Sequence, residues 1–157
     1  MHSRASSQLL ALLVLAVLAV AVAACRDVDV VTESYATLQE AVAAGAVDRG
    51  WVPRGLPPGT REIRDAHDLD SNRRWGLFNF PQGEGDVLRT LLGSAISLSG
   101  QTCNPPRRIE WWPQLLRREL DHERITSTGL EAYAAREGNL IFAVNWNQGR
   151  AYYWTRE

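Results

Sequence analysis

Leu140-Ile141-Phe142-Ala143-Val144-Asn145-Trp146, then Asn147-Gln148-Gly149, then Arg150-Ala151-Tyr152-Tyr153-Trp154-Thr155 is the stretch that decides the fold. Side chains alternate between the two faces of a strand, so Leu140, Phe142, Val144 and Trp146 share one face while Ile141 and Ala143 share the other. Both faces are apolar, which predicts a central strand with cover on each side. Asn147-Gln148-Gly149 is turn chemistry, and Glu137-Gly138 separates this strand from an earlier one. Residues 130–136, 139–146 and 150–155 therefore read as a three-stranded antiparallel meander. Tyr152, Tyr153 and Trp154 alternate along its last strand: one face is core, and the other becomes an aromatic patch if that strand lies at an edge.

Upstream, residues 61–67 and Arg74–Phe80 read as a hairpin whose turn uses Asp68 to Asn72, with Trp75, Phe78 and Phe80 suited to a pleated, half-buried surface. Thr37-Leu38-Gln39-Glu40 is a capping box opening a short helix through Ala44, stopped by Gly45, with Leu38, Ala41 and Val42 as its buried side. The Pro57-Pro58-Gly59 run marks an ordered loop. Asp86 caps a second helix through Leu92 that places Val87, Leu88, Leu91 and Leu92 on one side; Gly93 ends it, and Ile96 and Leu98 add a short strand. Pro113 suits the first position of a third helix, Gln114–Leu120. The sum is an α+β fold: one globular domain over residues 35–157, with an antiparallel sheet of about five strands and two or three helices packed on it.

The N-terminus is an address. His2 and Arg4 make a weakly basic start, and from Leu9 to Ala24 every residue is Leu, Ala or Val. That run is shorter than the about 20 residues a spanning helix needs, and it fits the apolar core of a signal peptide. It ends in Val22-Ala23-Ala24-Cys25, which resembles the bacterial lipobox. The resemblance implies that residues 1–24 are removed and that Cys25 carries a diacylglycerol. Residues 25–34 then form the lipidated N-terminus and a short polar tether. Acyl chains, palmitate among them, hold a protein durably only in twos or threes. With Cys25 lipidated, Cys103 has no intrachain partner and reads as a small buried hydrophobe.

All 17 basic residues are arginine, against 18 Asp plus Glu, and the formal net charge is −1. No basic excess points to nucleic acid. The expected setting is the bacterial cell envelope, outside the cytoplasm on the periplasmic side or the cell surface. The membrane is reached through the lipid on Cys25, an envelope protein is the partner, and no cofactor is called for.

Three segments together support a family assignment: Tyr35-Ala36-Thr37-Leu38 leading to Arg49-Gly50-Trp51-Val52-Pro53; Ile63-Arg64-Asp65-Ala66-His67-Asp68-Leu69-Asp70-Ser71-Asn72; and Arg150-Ala151-Tyr152-Tyr153-Trp154. Their order resembles an uncharacterised bacterial lipoprotein family with a YbbD-type head domain. The resemblance covers nearly all of the chain after Cys25 and implies one fold and an envelope setting. It carries over no catalytic residue.

His67-Asp68-Leu69-Asp70-Ser71-Asn72-Arg73-Arg74-Trp75 is the most chemically loaded stretch. Asp68, Asp70 and Asn72 open like a calcium loop, but Arg73 stands where the loop needs Gly and Asn79 where it needs Glu, so no metal site is assigned. Two readings remain. Asp and Asn can bond their own backbone in a turn, or His67, Asp68, Asp70, Asn72, Arg73 and Trp75 can form a recognition surface with an aromatic anchor. His67 with Asp65 or Asp68, and His122 with its acidic neighbours, could make general-base pairs. Yet Ser94, Ser97 and Ser99 sit in no nucleophile elbow, and no catalytic residue is assigned. Trp111 and Trp112 could line a glycan groove or staple the entry to the third helix. The functional expectation is a non-enzymatic interaction module. A glycan- or small-ligand-binding module is its first alternative, and a hydrolase using His67 with a carboxylate its second.

Overall fold

The computed structural model describes residues 30–117 and 119–156. The leader, Cys25 and residues 26–29 lie outside the described residues. Seven strands form one antiparallel sheet: β1 (Val30–Thr37), β2 (Arg61–Asp68), β3 (Arg74–Asn79), β4 (Leu92–Ala95), β5 (Glu131–Ala135), β6 (Leu140–Asn145) and β7 (Arg150–Thr155). Their order across the sheet is β1-β2-β3-β7-β6-β5-β4. Three short helices accompany them: α1 (Leu38–Ala43), α2 (Gly85–Leu91) and α3 (His122–Thr126).

The C-terminal meander is as the alternation predicts. β6 pairs with β5 on one side and β7 on the other, and all six of its residues are buried. β7 lies between β3 and β6, so Tyr152, Tyr153 and Trp154 are interior to the sheet and form no edge patch. The strand count exceeds the five expected. Residues 30–34, expected in the tether, belong to β1, which pairs with β2 from Val30↔Asp68 to Thr37↔Arg61. Thr32, Ser34 and Ala36 are exposed along β1 as it closes the sheet edge, so its composition reads as polar linker. The short strand expected at Ile96 and Leu98 lies earlier, as β4 at Leu92–Ala95 where a helix end was expected; Ile96 follows it and bonds its amide to the Ala132 carbonyl at 2.9 Å.

The capping box forms: the Thr37 hydroxyl accepts from the Glu40 amide at 3.2 Å, and the Glu40 carboxylate accepts from the Ala36 amide at 2.8 Å. Ala41 is buried, but Val42 is 51% exposed, so the helix turns a narrower face inward than its pattern suggests. The helix expected at Gln114–Leu120 is a single 3-10 turn at Gln114–Leu116, and the α-helix comes later, capped by Asp121, which accepts from the Arg124 amide at 3.2 Å.

Both faces of the sheet are covered. On the first, Ile63, Phe78, Phe142 and Tyr153 pack under α1, α2 and the loop through Trp51 and Leu56. On the second, Ala66, Trp75, Ile141 and Trp154 pack under the largely irregular segment 96–130, which contributes Leu98, Cys103, Ile109, Trp112 and Ile125. Cys103 is buried and in no disulfide among the described residues, as a small hydrophobe should be. Burying a large apolar side chain contributes about 1.5–3 kcal/mol, so these two layers supply most of the driving force.

At the centre of the first face, Gly76 on β3 sits opposite Tyr153 on β7. A Cβ on Gly76 would fall 2.0 Å from the Tyr153 Cζ, so only glycine lets this ring lie across β3. Gly76→Ala is therefore expected to lower stability by about 1–3 kcal/mol, the range for overpacking a tight core, in urea unfolding followed by tryptophan fluorescence.

Candidate functional site

The turn between β2 and β3 folds on itself. Asp68 Oδ1 accepts from the Asp70 amide at 2.9 Å and the Ser71 amide at 3.1 Å, and Asn72 takes a left-handed conformation at φ 57°. Partial burial opposes ionisation of Asp68, but the hydrogen bonds from Ser71 and Asp70 and the charge of Arg73 outweigh it and hold the carboxyl below its usual range. Arg73 reaches inward to the carbonyls of Cys103 and Asn104 at 3.4 and 3.5 Å. Trp75 is 2% exposed and donates its indole N–H to the Cys103 carbonyl at 2.6 Å. The stretch therefore divides. Asp70 and Asn72 are exposed, whereas His67 and Trp75 point into the protein on opposite faces of the sheet. No group of three or more metal-ligating side chains occurs among the described residues.

His67 is part of a buried polar cluster. Its Nδ1 lies 2.7 Å from Asp65 Oδ2, and both side chains are almost fully buried. Trp51, from the loop after α1, stacks on the imidazole with ring centroids 3.7 Å apart and planes 16° from parallel. Arg49 lies over the other side of that indole, its Cζ 3.9 Å from the ring centre. The Tyr153 hydroxyl donates to the Trp51 carbonyl at 3.1 Å, tying this lid to the middle of the sheet. Glu33 and Tyr35 approach from β1, where the Tyr35 hydroxyl bonds the Glu33 carboxylate.

Burial pushes the Asp65 carboxyl up to about 8, and the charge of Glu33 adds to the shift; Arg74 and the Tyr153 hydroxyl oppose it. Burial also pulls His67 below its ordinary value, with Glu33 opposing and Arg49 reinforcing. Both shifts favour the uncharged forms of the two groups, because burial opposes charge on each. Asp65 Oδ1 and His67 Nε2 have no hydrogen-bond partner among the described residues. The pair has general-base chemistry, but Trp51 stacks directly over the ring.

The two adjacent tryptophans separate. Trp112 is 1% exposed, stacks edge-on against Trp154 at 6.2 Å, and donates to the Leu116 carbonyl at 3.1 Å. It is a core staple. Trp111 is half-buried and, with Ser34, Arg64, Leu77 and Arg150, lines an open groove of about 440 Å³ on the second face. His122 is the first residue of α3 and lines no part of the groove. Sequence reasoning paired His67 with a carboxylate but did not find Trp51, Tyr153, Glu33 or Arg74 around it. Only the alternation Asp65-Ala66-His67 signalled that the two side chains share a face.

The raised Asp65 value has a definite sign. Between its ordinary 3.8 and about 8 the folded state holds a proton that the unfolded chain has lost, so stability falls as pH rises through that window. His67 acts oppositely: below its ordinary 6.5 the unfolded chain takes up the proton first, so its contribution is lost as pH falls. Asp65→Asn keeps a donor towards His67 and removes the ionisation. Urea unfolding at successive pH values is expected to show the wild-type protein losing stability from about pH 6.5 to about 8, above the His67 window and within that of Asp65, with that slope gone in Asp65→Asn. Asp65→Ala should cost about 1–3 kcal/mol by leaving buried His67 without its partner.

Comparison with known proteins gives a partial match. No curated protein and no solved structure matches the chain. The family match is narrower than the resemblance implied, since it omits Arg150-Ala151-Tyr152-Tyr153-Trp154. It takes in β1, α1, the Trp51 loop, β2 and β3, and so contains every member of the buried cluster except Tyr153. Residues 29–79, about a third of the chain, match the family model of the YbbD head domain.

Proposed function

We propose that this chain is a lipid-anchored protein of the bacterial cell envelope, with a non-enzymatic head that binds a carboxylate-bearing envelope glycan in the Trp111 groove. The observation that carries the reading is the groove's composition: a half-buried indole on the open part of the sheet, beside the Arg64 and Arg150 side chains, which outnumber the one acidic residue in the lining, Glu62. An indole face stacks on the apolar face of a sugar ring, and guanidinium groups bind carboxylates in bidentate fashion. Arg150 is braced by its Nε donating to Asn79 Oδ1 at 2.8 Å, which leaves its terminal nitrogens for a ligand.

A protein partner docking on the β2–β3 turn draws less support. The exposed large hydrophobics among the described residues are Val42, Leu69 and Val87, so that turn offers Leu69 and no aromatic anchor. A hydrolase needs its base within reach of substrate, and His67 is 3% exposed beneath Trp51. Anchoring follows from the lipobox at Cys25. From Cys25 to Val30 the chain spans at most about 17 Å, so the head sits close to the bilayer.

Two measurements test this reading. Incorporation of labelled palmitate in cells should be lost in Cys25→Ala. The full chain in neutral detergent should cosediment with purified cell-wall sacculi, and Trp111→Ala or Arg64→Gln should weaken retention about tenfold, equivalent to about 1.4 kcal/mol. Sacculi that retain the variants and the wild type equally would overturn the groove as the binding site.

A further inference from the structure

On the other face of the sheet lies a second cavity, separate from the Trp111 groove. It is a half-open cleft of about 460 Å³ between the loop Gly50–Arg54, the end of α2 and the β5–β6 turn. Its floor and walls are apolar, with Val52, Leu91, Leu140 and Phe142. Its charge is one-sided: Arg54, Arg74 and Arg136 line it against a single acidic residue, Glu137.

The three arginines differ in what holds them. Arg54 is exposed and makes a loose pair with Asp48 at 3.5 Å. Arg136 touches the Leu92 carbonyl at 3.4 Å. Arg74 is the unusual one. Its backbone amide is fixed to the Thr155 hydroxyl at 3.0 Å, but its Nε is buried with no hydrogen-bond partner among the described residues. A guanidinium that is partly desolvated and unpaired is costly unless an anion completes it. Asp65, whose charge interacts with Arg74, is driven towards its neutral form by burial and so does not fully serve as that anion.

The cleft also has a fixed direction. Val30 pairs with Asp68, and Arg74 starts the next strand, pairing with His67. The cleft thus opens at the sheet end where the N-terminal segment enters, which in a chain anchored through Cys25 is the end facing the bilayer. Depth, apolar walls and a cationic rim together match a molecule with two parts: an anionic head and an apolar tail.

We propose that this cleft binds an anionic amphiphile, with a phosphate or carboxylate head held by Arg74, Arg136 and Arg54 and an acyl chain lying against Val52, Leu91, Leu140 and Phe142. The site stands apart from the glycan groove, because no residue lines both. Only its orientation towards the bilayer rests on the anchoring reading.

The test is native mass spectrometry of the full chain released from neutral detergent, titrated separately with dihexanoyl phosphatidylglycerol, decanoate, dihexanoyl phosphatidylcholine and inorganic phosphate. One retained molecule of phosphatidylglycerol or of decanoate is expected, and which is held more tightly distinguishes a membrane lipid from a free fatty acid as the source. Phosphatidylcholine should be held at least tenfold more weakly, and inorganic phosphate likewise. Arg74→Gln should reduce retention at least tenfold. Arg136→Gln, an exposed rim position, should reduce it severalfold, which keeps the test decisive if Arg74→Gln folds poorly. Inorganic phosphate binding as tightly as the amphiphiles would overturn the proposal. Equal retention of phosphatidylcholine would do so too, as would retention unchanged in both arginine variants. Trp111→Ala should leave this binding intact, so failure of the glycan reading and failure of this one are told apart.

Discussion

Tyr153 stands over Gly76 in the middle of the sheet, and much of the first face is arranged around that contact. The ring occupies the space that any side chain on β3 would claim. Its hydroxyl reaches past the strands to the Trp51 carbonyl, fixing a loop that has no regular structure of its own. The loop in turn lays the Trp51 indole on His67 and brings Arg49 over the indole. A missing side chain at one position therefore sets where the lid sits, and the lid keeps water from the His67–Asp65 pair. The raised carboxyl of Asp65 and the lowered imidazole of His67 are consequences of that exclusion more than of any single neighbouring charge.

The second face solves a different problem. Segment 96–130 covers it with little helix or strand, so its backbone carbonyls need partners that a regular ladder would have supplied. Side chains provide several of them. Trp75 bonds the Cys103 carbonyl, Trp112 the Leu116 carbonyl, and Arg117 the Pro106 and Ile109 carbonyls. Tryptophan suits this role because one residue brings both a large apolar surface and a donor. The chain holds six tryptophans, and Trp75 and Trp112 on this face act as structural pins, not as a recognition surface.

These two coverings leave two openings where neither reaches. On the second face the cover stops short of β1, and Trp111 borders the gap beside Arg64 and Arg150. On the first face the loop and α2 stand apart at the end of the sheet, and Arg74 lies between that cleft and the buried pair. Binding at either opening needs little rearrangement of the core, since the walls are strands and the ends of packed elements.

What the sequence determined by itself was local. The alternation in Leu140–Trp146 and Arg150–Thr155, the turn residues at Asn147-Gln148-Gly149 and the Thr37–Glu40 box each act within a few residues, and each takes the form its pattern demands. The tertiary structure decided everything that depends on a distant partner. β1 is a strand because β2 lies beside it, some thirty residues on, and its polar outer face hid that pairing. Gln114–Leu116 makes only one turn because its neighbours are needed to cover Trp154 and Ile141. His67 became a buried residue and not a surface one because Trp51 and Tyr153, contributed from opposite ends of the domain, close over it. Periodicity reports which side chains share a face. Which faces meet, and which gaps they leave, is set by packing between segments far apart in the chain.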